Sequence, residues 1–530
     1  LEGVSLESLI LLKIESGIVV LVSSCTVRQA IAIVARVLTS FLTASCLLMA
    51  RTLSQKATTR LLQFVNCQNQ RTLTHALRAS TIPARDSVCT TILEWSPYTA
   101  VNSKTLTTMA APKHSYANRL KGSEKNVWVE FTKLASEPGV LNLGQGFPDF
   151  QAPEHVVKSL QKAIGSGNKF VHQYTRPFGH PRLIKALSEV YSPLLKRPVD
   201  PMTEVLVSVG AYGSLFCIIQ GMVNPGDEVI IIEPYFDCYE PMVRTAGGIP
   251  VFVPLRPSKH GVKMSSADWK LDPQELESKF SDKTKLIVLN TPNNPLGKVF
   301  VQSELEMVAD LCKKFDVVCV ADEVYEWMTY PGIEHIKIAT LPGMWDRTIT
   351  VGSAGKTFSV TGWKLGWSVA PENLMMGAKL VHQNCVYTCP TPIQEAVAEG
   401  LELEIDRRDS VDCYFKSLAL ELLPKRDELA QVLEGLGMHP VVPEGGYFML
   451  ADISQMKVDL SDYNKDEPKD FKFAKWMIKE KKLAGIPPSA FYCSEHKHMG
   501  ENYIRFCFIK EDETLKSAED ILRKWKQESS

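Results

Sequence analysis

Across 530 residues, 59 Lys and Arg stand against 60 Asp and Glu, and hydrophobic residues make up 45% of the chain. That length leaves room for two or more domains with ample cores, and the cancelled charge gives no broad positive field of the kind nucleic-acid binders carry. The 13 cysteines, an odd number without metal-ligand spacing, predict free thiols in a reducing compartment and no metal site.

The chain opens on Leu1, which leaves a fragment or an upstream-extended reading frame open. From Ile18 to Met49 apolar residues dominate, but Arg28 and Arg36 interrupt them. Crossing a bilayer takes about 20 apolar residues without such breaks, so no stable membrane insertion is expected. From Met49 no Asp or Glu occurs before Asp86, while Arg, Ser and Thr are frequent and Leu53, Ala57, Leu61 and Phe64 form a loose apolar stripe. That composition reads as a mitochondrial transit peptide, against the alternative of untranslated or disordered sequence. Met109 offers a second start and with it a shorter cytoplasmic form. Residues 1–111 are therefore expected to be an extension without fixed structure.

Beyond it, short β-branched runs alternate with helical stretches, which implies an α/β fold. Residues 112–153 are expected to form an arm and the first part of a small domain, 154–404 a large domain, and 405–530 the rest of the small one. Leu206–Gly213 reads as strand, Gly-rich turn and helix start, presenting the free N–H groups of Gly210, Ala211 and Tyr212 to an anion. A plain tight turn is the ordinary alternative. Glu228–Glu233 reads as a buried strand followed by Phe236, which is either core or a ring stacked on a ligand.

Three further buried strands end at or just before polar residues: Leu286 onward before Asn294, Val317 onward at Asp322, and Thr348 onward at Ser353. In α/β sheets ligands sit beyond the carboxyl ends of the strands, so these groups are expected to share one crevice. Lys356 follows Ser353 closely. A deprotonated lysine there can hold an aldehyde cofactor covalently and afterwards move a proton, and burial beside other cations would lower its pKa enough for both tasks.

The surrounding residue types suit pyridoxal 5′-phosphate. Asp322 supplies an anion for a pyridinium nitrogen, Asn294 and Tyr325 supply donors for a phenolate oxygen, and Ser353 and Lys364 supply a hydroxyl and an ammonium for a phosphate. Near the end, Glu501–Phe508 alternates like a half-buried strand with Arg505 in its middle, where a guanidinium fork matches an amino-acid carboxylate. Taken singly, each has an ordinary reading: an N-cap for Asp322, a turn for Asn294, a buried aromatic for Tyr325, solvated charges for Lys356 and Arg505.

The ordered set Gly146, Gly210, Asn294-Pro, Asp322-x-x-Tyr325, Ser353-x-x-Lys356 and Arg505 resembles the fold-type I aminotransferases, from about residue 120 to the end. The resemblance implies a large domain with a mostly parallel sheet flanked by helices, plus a smaller α/β domain built from both chain ends. Within that superfamily, Gly144–Phe150, Ile230–Met242 and Ser353–Lys364 look like kynurenine aminotransferases. Lys364 stands where many superfamily members carry Arg, a point charge in place of a fork, and the kynurenine branch shares that Lys.

This resemblance implies amino transfer from kynurenine, glutamine, methionine or aromatic amino acids to 2-oxo acids, with β-elimination from cysteine conjugates as a side activity. General aromatic, alanine or aspartate transamination, or a catalytically silent binding module, are the alternatives. It also implies that Trp128, Gly146, Tyr387 and Thr388 line the substrate pocket. Tyr174 is implied to reach the cofactor phosphate of a neighbouring subunit, which requires a homodimer with shared sites. Tyr387-Thr388 together with Gly445-Gly446-Tyr447-Phe448 look like the third subtype of the family.

Overall fold

A computed structural model describes residues 9–14, 17–22, 114–122, 124, 126–259 and 264–529. The chain divides into two units, Leu1–Ala110 and Ala111–Ser530. In the first, Leu9–Ile14 pairs antiparallel with Gly17–Val22, Leu9 opposite Val22. Both strands are rich in Ile, Leu and Val, which suits a pleated pair. This hairpin departs from the expectation of an unstructured extension. The transit-peptide segment from Met49 to Asp86 and the Met109 start lie outside the described residues. Among the described residues no helix is long and apolar enough to cross a membrane.

In the second unit the elements are, in order, α1 (Val127–Ala135), α2 (Glu154–Gly165), α3 (Pro181–Leu194), β1 (Val205–Ser208), α4 (Gly210–Met222), β2 (Glu228–Glu233), α5 (Tyr239–Thr245) and β3 (Ile249–Pro254). Then come β4 (Thr284–Asn290), α6 (Gln302–Phe315), β5 (Val318–Asp322), β6 (Thr348–Ser353), α7 (Ala354–Thr357), β7 (Gly366–Val369), α8 (Glu372–Cys385) and α9 (Thr391–Asp406). The long α10 (Tyr414–Leu436) leads to β8 (His439–Val442), β9 (Phe448–Asp452), α11 (Lys469–Lys481), β10 (Tyr503–Cys507) and α12 (Asp512–Ser529).

Seven strands form one sheet in the order β1-β7-β6-β5-β4-β2-β3. Every neighbouring pair is parallel except the two that β7 makes, with β6 and with β1. Six strands therefore point the same way. Their buried residues, such as Ile287 and Leu289 of β4 or Val320 of β5, are apolar because helices cover both faces. On one face α4 and α8 approach so closely that a Cβ on Gly221 would sit 2.5 Å from the Gly377 carbonyl carbon, so the crossing needs glycine.

A second sheet has the order β10-β9-β8 and ends in the short strand Met264–Ser265. Leu141–Asn142 pairs in parallel with Leu483–Ala484, so a segment before the large sheet joins one near the C-terminus. The charge-rich stretch that begins at Lys457 is a loop through Pro468, after which α11 begins.

Candidate active site

Because β4, β5 and β6 run in parallel, their carboxyl ends deliver Asn290, Asp322 and Ser353 to one edge of the sheet. A cavity of about 360 Å³ opens there. Twelve of the fifteen residues expected from the sequence line it: Trp128, Gly146, Ala211, Tyr212, Phe236, Asn294, Asp322, Tyr325, Ser353, Lys356, Lys364 and Arg505. Tyr174, Tyr387 and Thr388 do not. Tyr174 is 81% exposed and Tyr387 46% exposed, and their rings meet edge to face at 5.4 Å.

Asp322, the last residue of β5, is sealed from solvent, and burial pushes its carboxyl up to about 6. The Tyr239 hydroxyl donates to Oδ2 at 2.5 Å and opposes that rise. Asn290 makes the turn behind it: its side-chain amide donates to the Asp322 carbonyl at 2.9 Å, and its Oδ1 accepts the Asn294 N–H at 2.7 Å. Asn294 is thus held by the last residue of β4, the strand that leads into it.

Lys356 lies on the single turn α7, directly after β6. Its Nζ donates to the Tyr447 hydroxyl at 2.5 Å and lies 3.4 Å from the Gly146 carbonyl, to which Tyr447 also donates at 3.0 Å. Burial is the main reason its pKa falls to about 8, with Arg505 and Lys364 adding repulsion. The amine is therefore within reach of its uncharged form near neutral pH. Gly146 is required by space: a Cβ there would fall 2.4 Å from Phe448 Cζ.

Arg505, in mid-strand on β10, is fully buried and its pKa is depressed to about 10, chiefly by desolvation. Nη1 donates to Asn294 Oδ1 at 2.9 Å and Nη2 to the Gly144 carbonyl at 2.8 Å, while Nε has no partner. The guanidinium lies 4.0 Å from the Phe448 ring centre and 5.2 Å from that of Trp128. The Trp128 indole N–H in turn donates to Asp237 at 2.8 Å. Such a shell fixes the fork's plane before any ligand arrives.

At the opposite end α4 starts at Gly210, whose φ of +70° is open to glycine at little cost. A Cβ at Gly210 would stand 3.5 Å from Lys364 Nζ, so the ammonium lies over the helix N-terminus. Free N–H groups, helix dipole and ammonium together make an anion cradle.

Residues 138–521 match the family described as aminotransferase class I and II. This chain belongs to that family. An aminotransferase from mouse, kynurenine–oxoglutarate transaminase 3, is 58% identical over 421 residues, covering 79% of this chain and 92% of the mouse protein. Human kynurenine–oxoglutarate transaminase 1 is 52% identical over 420 residues, 78% of this chain and 99% of its own length. The solved N-succinyldiaminopimelate aminotransferase of Mycobacterium tuberculosis superposes with a TM-score of 0.69 at 34% identity, over 78% of this chain and all of the other. The fold is accordingly that of the fold-type I aminotransferases.

The aminotransferase cavity also uses residues that no local sequence signal marked as site residues. Asn290 and Tyr239 act through Asn294 and Asp322 and read as strand and helix residues in sequence. Thr361, Leu365 and Val324 line the cavity because they flank the lysine and aspartate motifs. Tyr447 and Phe448 stood in the Gly-Gly-Tyr-Phe segment, which pointed only to the third subtype, and the contact of Tyr447 with Lys356 needed the tertiary fold.

Proposed function

We propose that the cavity holds pyridoxal 5′-phosphate and that the enzyme moves the amino group of kynurenine, glutamine, methionine or an aromatic amino acid to a 2-oxo acid. The names of the kynurenine–oxoglutarate transaminases it resembles support the donor class. The observation that carries the reading is the pairing, in one cavity, of a lysine held down to about 8 with a sealed carboxylate.

The residues fit the cofactor. Asp322 is a carboxylate that burial pushes up, to which a pyridinium nitrogen would bring a cation, and the Gly210 cradle with Lys364 suits a phosphate. When bound, the cofactor supplies an aldehyde to capture the donor's amino group and a ring that accepts the electrons released at Cα.

The chain's own groups do the rest. Arg505, its plane fixed by Asn294 and Gly144, grips the donor carboxylate and orients Cα. Lys356 Nζ, uncharged, takes the Cα proton and would deliver it across the nitrogen to the carbon that the cofactor's aldehyde supplies, and Tyr447 steers that amine through its hydroxyl. Phe236, Trp128, Leu215 and Phe448 exclude water and offer an apolar wall, which favours apolar or aromatic donors over aspartate. Kynurenine, glutamine, phenylalanine, aspartate and a cysteine conjugate, compared as donors on cofactor-loaded enzyme, test this. Aspartate as the preferred donor would overturn it.

The proposal includes β-elimination from cysteine conjugates with good leaving groups, since the same proton abstraction at Cα precedes it. It also includes a homodimer in which the exposed Tyr174 reaches the partner's phosphate site, which sedimentation together with Tyr174→Phe cofactor retention would check. Targeting to mitochondria is proposed from the acid-free, Arg-rich stretch before Asp86. N-terminal sequencing of the mature protein tests it.

A further inference from the structure

Glu233 closes β2 as a carboxylate with no exposure to solvent, three residues before the cavity-lining Phe236. Its ion-pair partner is a histidine, His496, whose Nδ1 contacts Oε2. Its other oxygen, Oε1, accepts the backbone N–H of Cys493. The Cys493 thiol is buried, belongs to no disulfide, and places Sγ 3.5 Å from the same Nδ1. One carboxylate oxygen, one sulfur and one imidazole nitrogen thus lie within 4.8 Å of one another.

We infer that Glu233, Cys493 and His496 form a binding site for a thiophilic divalent cation of the zinc type. Zinc takes these three donor types at about 2.0–2.3 Å, which sets ligand–ligand edges of about 3.3–3.7 Å. The Sγ–Nδ1 separation already has that length, and the Glu233–His496 contact must open by about 1 Å to match. Cys493 and His496 stand three apart on one turn and supply a compact chelate, while Glu233 comes from the end of a rigid strand. The His496 side chain is 14% exposed, which leaves an approach from solvent, and a water would be the fourth ligand.

On binding, the Zn–S bond forms as the thiol proton passes to solvent. Nδ1 gives up its hydrogen as the Zn–N bond forms, to Nε2 where the ring is neutral and to solvent where it is an imidazolium, so one or two protons are released per ion. Sequence spacing did not mark the site because its third ligand lies 260 positions upstream. A bound ion would tie the segment carrying Phe236 to the loop carrying Phe491, whose ring lies 5.1 Å from the Arg505 guanidinium. These loops already share a hydrogen bond from Tyr235 N–H to the Phe491 carbonyl at 2.9 Å.

The test uses full-length, cofactor-loaded protein stripped with chelator and titrated with cobalt(II), then with zinc. The expected result is a thiolate-to-cobalt charge-transfer band that zinc abolishes. Cys493→Ser and His496→Gln should each lose one equivalent of tight binding, with affinity there reduced about 100-fold. In unmodified protein, zinc should also slow alkylation of Cys493, but not of the exposed Cys385, as read by peptide mass spectrometry. That second measurement holds even if a variant fails to fold. An unchanged band and stoichiometry in Cys493→Ser, or alkylation of Cys493 unaffected by zinc, overturns the site.

Discussion

The floor of the cavity and its rim are built on different terms. Asp322 ends a strand, Arg505 lies within one, Asn294 and Lys356 follow closely after strand ends, and all four are held by named hydrogen-bond partners. Tyr174, Tyr387 and Thr388 sit on loops, and the two tyrosines are exposed with their rings edge to face. Groups that fix the reaction are positioned by the sheet, whereas groups expected to choose the substrate or bridge subunits are left to loops and to a second chain. Variants on the two sides should therefore behave differently.

The largest effect is expected at Lys356. Lys356→Ala should lower turnover at least about 10⁴-fold for every donor, read by single-turnover kinetics, because it removes the proton-transfer amine. Arg505→Gln comes next. It should raise KM for donors about 10- to 100-fold with a smaller change in kcat, the scale of a lost charge-assisted hydrogen bond. Equal losses in KM and kcat would move Arg505 from carboxylate grip to fold maintenance.

Stability should change in the opposite sense to activity at the floor. Burial raises Asp322 from 3.8 to about 6, so the folded, cofactor-free chain resists its ionisation. This contribution to stability is full below about pH 4 and is lost as pH rises through about 6. Asp322→Asn should therefore stabilise the cofactor-free chain above pH 6 by up to about 3 kcal/mol while weakening cofactor retention, as denaturant melts and dialysis would show. Tyr239→Phe removes the donor that opposes the rise, so the acid limb of the kcat/KM profile should move to higher pH. An unmoved limb would show that Asp322 does not govern it.

The smallest effects belong to the rim. Tyr387→Phe and Thr388→Ala should alter the ranking of donors by less than about tenfold, or about 1.4 kcal/mol, at the low end of what one contact in a pocket is worth. Cofactor absorbance should stay unchanged. A large loss of cofactor in either would erase the distinction between floor and rim.

That same distinction decides what could be read from the chain. Asp322, Ser353 and Asn294 were legible because each ends or closely follows an apolar β-branched run, and Arg505 because it interrupts one. Gly210 was legible from its turn chemistry. Tyr239 and Asn290 were not, since their roles depend on contacts across strands that leave no local pattern. The hairpin at Leu9–Val22 was not legible either, because its two runs are apolar almost throughout and carry no two-residue alternation to separate strand from helix.

The central claim is tested most directly by the visible spectrum of the purified, cofactor-loaded chain before and after Lys356→Ala. An imine band that vanishes together with turnover in the variant is the predicted result. A variant that keeps full turnover with kynurenine would contradict it.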